Sequence, residues 1–464
     1  MTSEPDLEFF ALKSLDHGPL TGVSLAFHAI ADAFLLLHIG CGCKHKVIAP
    51  LSTHDWGRHP NENEAWTEVG DAELIKGSSE RIGPYARSWI ERVQPNIMGV
   101  VSVTFIDLSG EDIVDEVRRV DEHAPCTVRY IKAPGFSGDL WKGWANALEM
   151  IVGEVDWSAP TRPREVAILG YLFDRYEGDH AGNLAQLKSL VEAAGLKLGP
   201  VLLSGRPFAD YLAAGGSEHL IALPWARPAE RKIKRLLSKA GRQTHAMDLP
   251  MGLAGTAAWL RALCRLAGTP QARADAWLSS REAALQQRLG PLMPQLQGLR
   301  AAVFAEAPLA AGLIATLLDL GLRPVLVGLR GHTVGDRTAL EATLSRWGHA
   351  LPDDCEVLEQ PSIAAVRQSC GDRISAQQLD VVIGAATEMN ALSTLRPATF
   401  LGSIAGSAAR PVGPRTVEMG FPCREWHTTQ PMPFLGHAGV LVLAHRIINA
   451  GRLWSSGAPE ALVG

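Results

Sequence analysis

Strand-like, apolar and β-branched runs alternate with helix-like segments along the whole chain, and this alternation restricts the fold more than any other feature. Residues 96–105, 165–170, 300–305 and 379–384 read as strands with apolar residues at nearly every position. A strand exposed on one face would alternate polar and apolar; continuous runs belong to parallel sheets covered by helices on both sides. Between them lie capped helix starts such as Ser109-Gly110-Glu111-Asp112, and helices closed by Gly195 and Gly321. Composition shifts to a Pro- and Arg-rich linker near Ser158, and a third block begins near Gly298. The expected architecture is α/β: three Rossmann-like domains with parallel sheets over 1–157, 158–297 and 298–464. The polar stretch 52–83 is expected to be an irregular surface or interface segment.

A chain of 464 residues is too long for one core. Its net charge of −5 argues against a nucleic-acid footprint. No stretch of about 20 apolar residues predicts a membrane span, and the acidic start, Met1 to Leu7, is unlike a secretory leader. The seven cysteines are odd in number, which suits reduced thiols in the cytoplasm. Neither GxGxxG nor a Walker A loop is present, so no nucleotide is expected by those motifs.

Two stretches carry candidate chemistry. Cys41 and Cys43 stand in the glycine-rich loop Gly40-Cys41-Gly42-Cys43 after the apolar run 23–37. Glycine lets a metal centre approach the thiolates closely, but two cysteines cannot complete a four-thiolate site. The site, if it binds metal, borrows ligands from another chain; the competing reading is a pair of buried thiols. Cys126, Cys264, Cys355, Cys370 and Cys423 stand alone and are expected to be small buried hydrophobes. The second stretch is Met419 to His427, on a loop after the strand-like run 416–419. There His427 is a candidate metal ligand or proton relay, or else a hydrogen-bonded interface histidine. His54 and His59 show no ligand spacing and read as parts of a polar loop, and His437 in a Gly-His-Ala-Gly run is less specific still.

These residues resemble component 1 of nitrogenase and its relatives, the αβ partners of an ATP-driven iron–sulfur reductase. Leu20-Thr21-Gly22 followed by His38 to Cys43 is similar to that family's N-terminal cluster loop. Residues 225–255, with Leu249-Pro250-Met251-Gly252-Leu253, are similar to the middle domain of β-type subunits. Gly420-Phe421-Pro422 and Gly436 to Gly439 resemble its C-terminal loop and last helix start. The resemblance implies an iron–sulfur cluster, [4Fe–4S] or P-cluster-like, shared with an α-type partner subunit, in an α2β2 heterotetramer served by an ATP-hydrolysing iron protein. A nitrogenase β subunit brings three cysteines to that cluster; here Cys43 matches one, and the positions near Leu20 and Ser102 to Thr104 are not cysteine. The cluster is therefore expected to be held mainly by the partner, with Cys43, helped by Cys41, from this chain.

The run Met-Gly-X-Pro-X-Arg-X-X-His ending at His427 is closer to α-type subunits, where that histidine ligates the active-site cofactor, so the resemblance implies a catalytic role for His427. Pro224, however, stands near where α subunits carry their cofactor cysteine. One β cysteine against three from α is the arrangement of the cofactor-assembly scaffold and of chlorophyllide reductase. The scaffold's loop after the cluster cysteine is not recognisable in 47–69, which leaves methylthio-alkane reduction as the favoured activity. The alternatives are chlorophyllide reductase and a scaffold subunit for cofactor assembly. Lys44 and His45, beside the thiolates, are expected to raise the cluster's potential.

Overall fold

The computed structural model describes residues 17–40, 42–57, 62–108, 110–393 and 413–450. Three sheets, all parallel, carry the fold. The first has order β2-β1-β3-β4, from β1 (Ala33–His38), β2 (Glu64–Trp66), β3 (Ile97–Ser102) and β4 (Thr127–Ile131). The second, β6-β5-β7-β8, is built from β5 (Arg162–Leu169), β6 (Lys197–Val201), β7 (Ser217–Ala222) and β8 (Thr244–Ala246). The third, β11-β10-β9-β12-β13, uses β9 (Arg300–Glu306), β10 (Arg323–Arg330), β11 (Glu356–Glu359), β12 (Val381–Gly384) and β13 (Arg415–Glu418). The central strands β1, β3 and β12 are buried at every position, as strands covered on both faces must be.

Close backbone approach explains two glycines. A Cβ at Gly22 would lie 1.9 Å from the Leu140 carbonyl oxygen, and one at Gly143 1.8 Å from that of Pro19. The helices Pro19–His28 and Leu140–Glu154 therefore touch backbone to backbone, and only glycine permits it. Asp139 fixes the start of the second helix by accepting from the N–H of Trp141 at 3.0 Å.

The expected strands are present with shifted bounds: β3 ends at Ser102 and Thr104–Asp107 form a helical turn, β5 begins at Arg162, and β12 begins at Val381. The expectation of an irregular segment at 52–83 fails in part. Glu64–Trp66 is the edge strand β2, and Asp71–Lys76 and the helix starting at Ile82 follow. The strand was disguised by Glu64, a buried carboxyl to which Ser24 Oγ donates. Burial pushes this carboxyl up to about 7, against the Ser24 hydrogen bond, which lowers it. No helix among the described residues is long and apolar enough to cross a membrane.

Candidate functional site

Chain direction puts the cysteine loop at the carboxyl end of β1, where ligands of open α/β sheets bind. His38 ends β1, and Cys43 opens the helix Cys43–Leu51, its N–H donating to Gly40 O at 3.0 Å. The Cys43 side chain is half-buried in the first helical turn, where the positive end of the helix dipole suits an anionic sulfur. Gly40 is pinned between Val69 O (3.3 Å from a built Cβ) and the Phe105 ring (3.4 Å), whereas a Cβ at Gly42 would meet nothing within 4 Å. Space is thus open on one side of the loop. His38 is buried, with Nδ1 2.8 Å from Thr67 Oγ1 and Nε2 3.0 Å from Ser78 Oγ. Burial lowers its pKa to about 4, so it is a neutral, structural imidazole. Lys44 Nζ lies 3.8 Å from Glu68 and 4.9 Å above the Trp66 ring. His45 is exposed. Cys41 and His59 lie outside the described residues.

Exposed apolar side chains follow the strand ends of this sheet beside charged ones. Ile75, Phe105, Leu108 and Phe136 follow the carboxyl ends of β2, β3 and β4, and are 87%, 38%, 72% and 73% exposed. Among the described residues no group of three or more His, Cys, Asp or Glu side chains is placed to hold a metal ion. Cys43 therefore fits a metal centre only as a minority ligand. The lone cysteines Cys264, Cys370 and Cys423 are buried, while Cys126 and Cys355 are half-buried.

A second polar site lies where loops from all three sheets meet. At the end of β13, Glu418 accepts from the backbone N–H groups of Arg424 (2.8 Å), Glu425 (2.6 Å) and Trp426 (2.9 Å), and so shapes the loop that carries His427. His427 Nδ1 is 2.6 Å from Glu177 Oε1, its Nε2 is 3.1 Å from Arg424 O, and its ring stacks on Trp56 at 4.2 Å. Both ring nitrogens face oxygen acceptors, so neither offers a lone pair outward. His54, 0% exposed, accepts the Cys423 N–H on Nδ1 at 2.8 Å and places Nε2 3.1 Å from Asp174 Oδ2. One imidazole from the first block thus touches the second and the third.

Asp174 also pairs with His180 Nε2, whose Nδ1 lies 2.7 Å from Tyr171 OH; Arg175 pairs with Asp179. Burial alone would raise the Asp174 carboxyl, but His180 and His54 hold it well below the usual carboxylate range. His180 is in turn raised: burial opposes its charge, and Asp174 and Asp179 outweigh that. Burial pushes the Cys423 thiol up to about 12, despite Arg175, so it is no thiolate at neutral pH. The void left among Tyr171, Asp174, Arg175 and His180 is about 40 Å³, room for water but not for a polynuclear metal cofactor. A neighbouring void of about 170 Å³ holds Arg330 beside Glu306 and is lined by one histidine, His17, and no cysteine. The residues at this junction do not fit an active-site metal cofactor bound through His427.

Sequence reading missed Asp174, His180 and the linking role of His54. One signal was available: the dense titratable run from Tyr171 to His180 follows directly on a strand, at its carboxyl end.

Comparison with known proteins adds to this geometry. A family model described as "Nitrogenase component 1 type Oxidoreductase" matches residues 19–451. The nitrogenase iron-molybdenum cofactor biosynthesis protein NifN of Nostoc sp. is 29% identical over 191 residues, 40% of this chain and 41% of that protein. The chain thus spans well under half the length of that relative. The nitrogenase molybdenum-iron protein beta chain of Methanothermobacter marburgensis is 21% identical over 458 residues, 92% of this chain and 91% of that one. A solved structure titled "Nitrogenase Cp1 at pH 6.5" superposes with a TM-score of 0.73 at 16% identity, covering 94% of this chain and 92% of that one. This likeness fixes the α/β fold with parallel sheets.

Proposed function

From the premise that the chain belongs to the nitrogenase component 1 type oxidoreductases, we propose that it is the β-type subunit of a nitrogenase-like, ATP-dependent reductase. In this reading an α-type subunit completes an iron–sulfur cluster at Cys43, and a separate iron protein delivers electrons. The carrying observation is the Cys43 loop: one thiol at a helix start, open space at Gly42, and exposed apolar side chains after the strand ends. A bound cluster would supply one-electron relay, tuned by thiolate number, burial and hydrogen bonds. This chain's part is to offer Cys43, with Cys41 beside it, and to seat the partner. The junction near His427 is filled by the chain's own ion pairs, so substrate is reduced at or near the partner. His427 acts as a positioning residue that orders the 423–428 loop.

Methylthio-alkanes are the proposed substrate class, cleaved at carbon–sulfur with two electrons and two protons to give a thiol and an alkane. A second reading, a scaffold on which a nitrogenase cofactor matures, is favoured by the similarity to NifN; chlorophyllide reduction is the remaining alternative. The test is the complex purified with its α-type partner. Iron, visible absorption and turnover of methylthio-alkanes with ATP and iron protein support the proposal. Cluster transfer to an apo-enzyme without turnover would replace it with the scaffold, and an iron-free complex would overturn both. His427→Ala is expected to lower turnover severalfold with iron content unchanged; full activity would remove His427 from any role in the reaction.

A further inference from the structure

A groove of about 500 Å³ opens where the carboxyl ends of β7 and β8 meet the third block. One wall is the helix Gly252–Ala267, whose Gly255, Trp259, Ala262 and Arg265 recur at helical spacing and share a face. The opposite wall is Trp347, which ends the helix Arg337–Arg346 and packs so closely that a Cβ at Gly255 would lie 3.1 Å from its ring. Met247 and Leu249 complete the apolar part.

Three guanidinium groups converge on this lining from three separate elements. Arg227 and Arg346 lean on the two oxygens of one carboxylate, Asp248, at 2.9 and 2.7 Å. Arg265, exposed at the helix end, stands on the groove lining outside the Asp248 pairs. Three positive charges against one negative leave the groove strongly positive, in a chain whose net charge is −5. Trp259 is 3% exposed and presents only an edge of its ring to the groove. Arginines present forked donors that match phosphate and carboxylate oxygens. The volume falls within the range of small-molecule sites, and the carboxyl ends of parallel strands are where such sites form.

We propose that this groove binds a small organic dianion, a phosphate monoester or a dicarboxylate carried on an apolar, flat body. Arg265 and the unpaired share of Arg227 and Arg346 hold the charged end, and the Trp259–Trp347 side covers the body. The site is independent of the cysteine loop and needs no metal.

Equilibrium dialysis of the full-length protein against phenyl phosphate and phthalate tests it, with inorganic phosphate and benzyl alcohol as controls. At least one aromatic dianion should bind tenfold or more tightly than either control, and which one does so identifies the anion. Arg265→Glu should weaken that binding at least tenfold, and Arg346→Gln severalfold. The proposal is overturned if the aromatic dianions bind no better than inorganic phosphate, if Arg265→Glu leaves their binding unchanged, or if the α-type partner displaces them, which would make the groove a subunit contact. None of these results depends on iron content.

Discussion

The cysteine loop and the three-sheet junction are both polar sites at carboxyl strand ends, yet they are finished to different degrees. At the junction almost every charged group has its complement in this chain: Asp174 has two histidines, Arg175 has Asp179, and His427 has Glu177. At the cysteine loop a helix opens on Cys43 beside Gly42, around which space is open; Phe105 lies against Gly40, and Leu108, Phe136 and Ile75 are exposed after the ends of β3, β4 and β2. Exposed apolar clusters mark surfaces that meet something else. One region is closed by the chain's own ion pairs, and the other is the one the proposed function assigns to a second chain. The histidine of the motif that most resembles an active site has both ring nitrogens against oxygens of this chain, and under the proposed function the sparse cysteine motif is the one that meets the cluster.

Removing each region's central residue should separate the two. Cys43→Ala is expected to strip most of the iron from the αβ complex and bleach its visible absorption, with the isolated chain's thermal midpoint unchanged; retained iron would show that the loop is not the ligand site. Asp174→Ala should do the reverse. Breaking a buried ion pair by deleting one partner costs about 3–5 kcal/mol, so a urea midpoint should fall sharply while iron per folded complex holds. The pH dependence has a definite sign. Asp174 is depressed in the fold, so its contribution is present above the unfolded value of about 4 and is lost in acid. His180 is raised, so its contribution is complete below about 6.5 and fades as pH climbs through its folded value. The stability gap between wild type and Asp174→Ala should be widest near pH 5–6 and narrow as the solution is made alkaline.

Glu64 extends the comparison to a carboxyl that lacks a counter-charge. It sits on β2, and burial raises it to about 7 in the fold. Above that value the fold must carry a buried anion, whereas the unfolded chain ionises near pH 4.3 at no such cost. Wild-type stability should thus fall as pH rises from about 4 towards 7. Glu64→Gln keeps an acceptor for Ser24 and removes the ionisation, so it should match wild type at pH 4.5 and exceed it by up to about 3 kcal/mol at pH 8. Denaturant titrations at the two pH values check this; equal stability at both would mean that the carboxyl has access to water.

How much of this was legible in the sequence follows from the range of the interactions. The strands β3, β5, β9 and β12 were readable because burial on both faces writes itself into consecutive residues. β2 was not, because its defining residue is a glutamate whose partner, Ser24, lies 40 positions away. The Cys43 loop was readable because its signal is local. His54 was not: its partners sit 120 and 369 positions along the chain, and nothing around it in sequence distinguishes it from a loop histidine. The helix over Gly252–Ala267 escaped notice because small residues and tryptophan obscure its periodicity, and the arginine-lined groove escaped with it.

The smallest expected effect concerns the setting of the Cys43 loop. Sequence order puts Lys44 and His45 both beside the thiol, but the structure treats them differently. Lys44 is held inward, its ammonium over Trp66 and 3.8 Å from Glu68, while His45 faces solvent. Charge near a cluster shifts its potential, and water screens exposed charge more than covered charge. Lys44→Ala should therefore lower the midpoint potential of the assembled complex by roughly tens of millivolts, since a positive charge stabilises the reduced state. His45→Ala should shift it less. Glu68 offsets part of the Lys44 charge, so Glu68→Gln should move the potential the opposite way. A redox titration that finds Lys44→Ala and Glu68→Gln shifting in the same direction, or not at all, would place the cluster beyond the reach of this loop's charges.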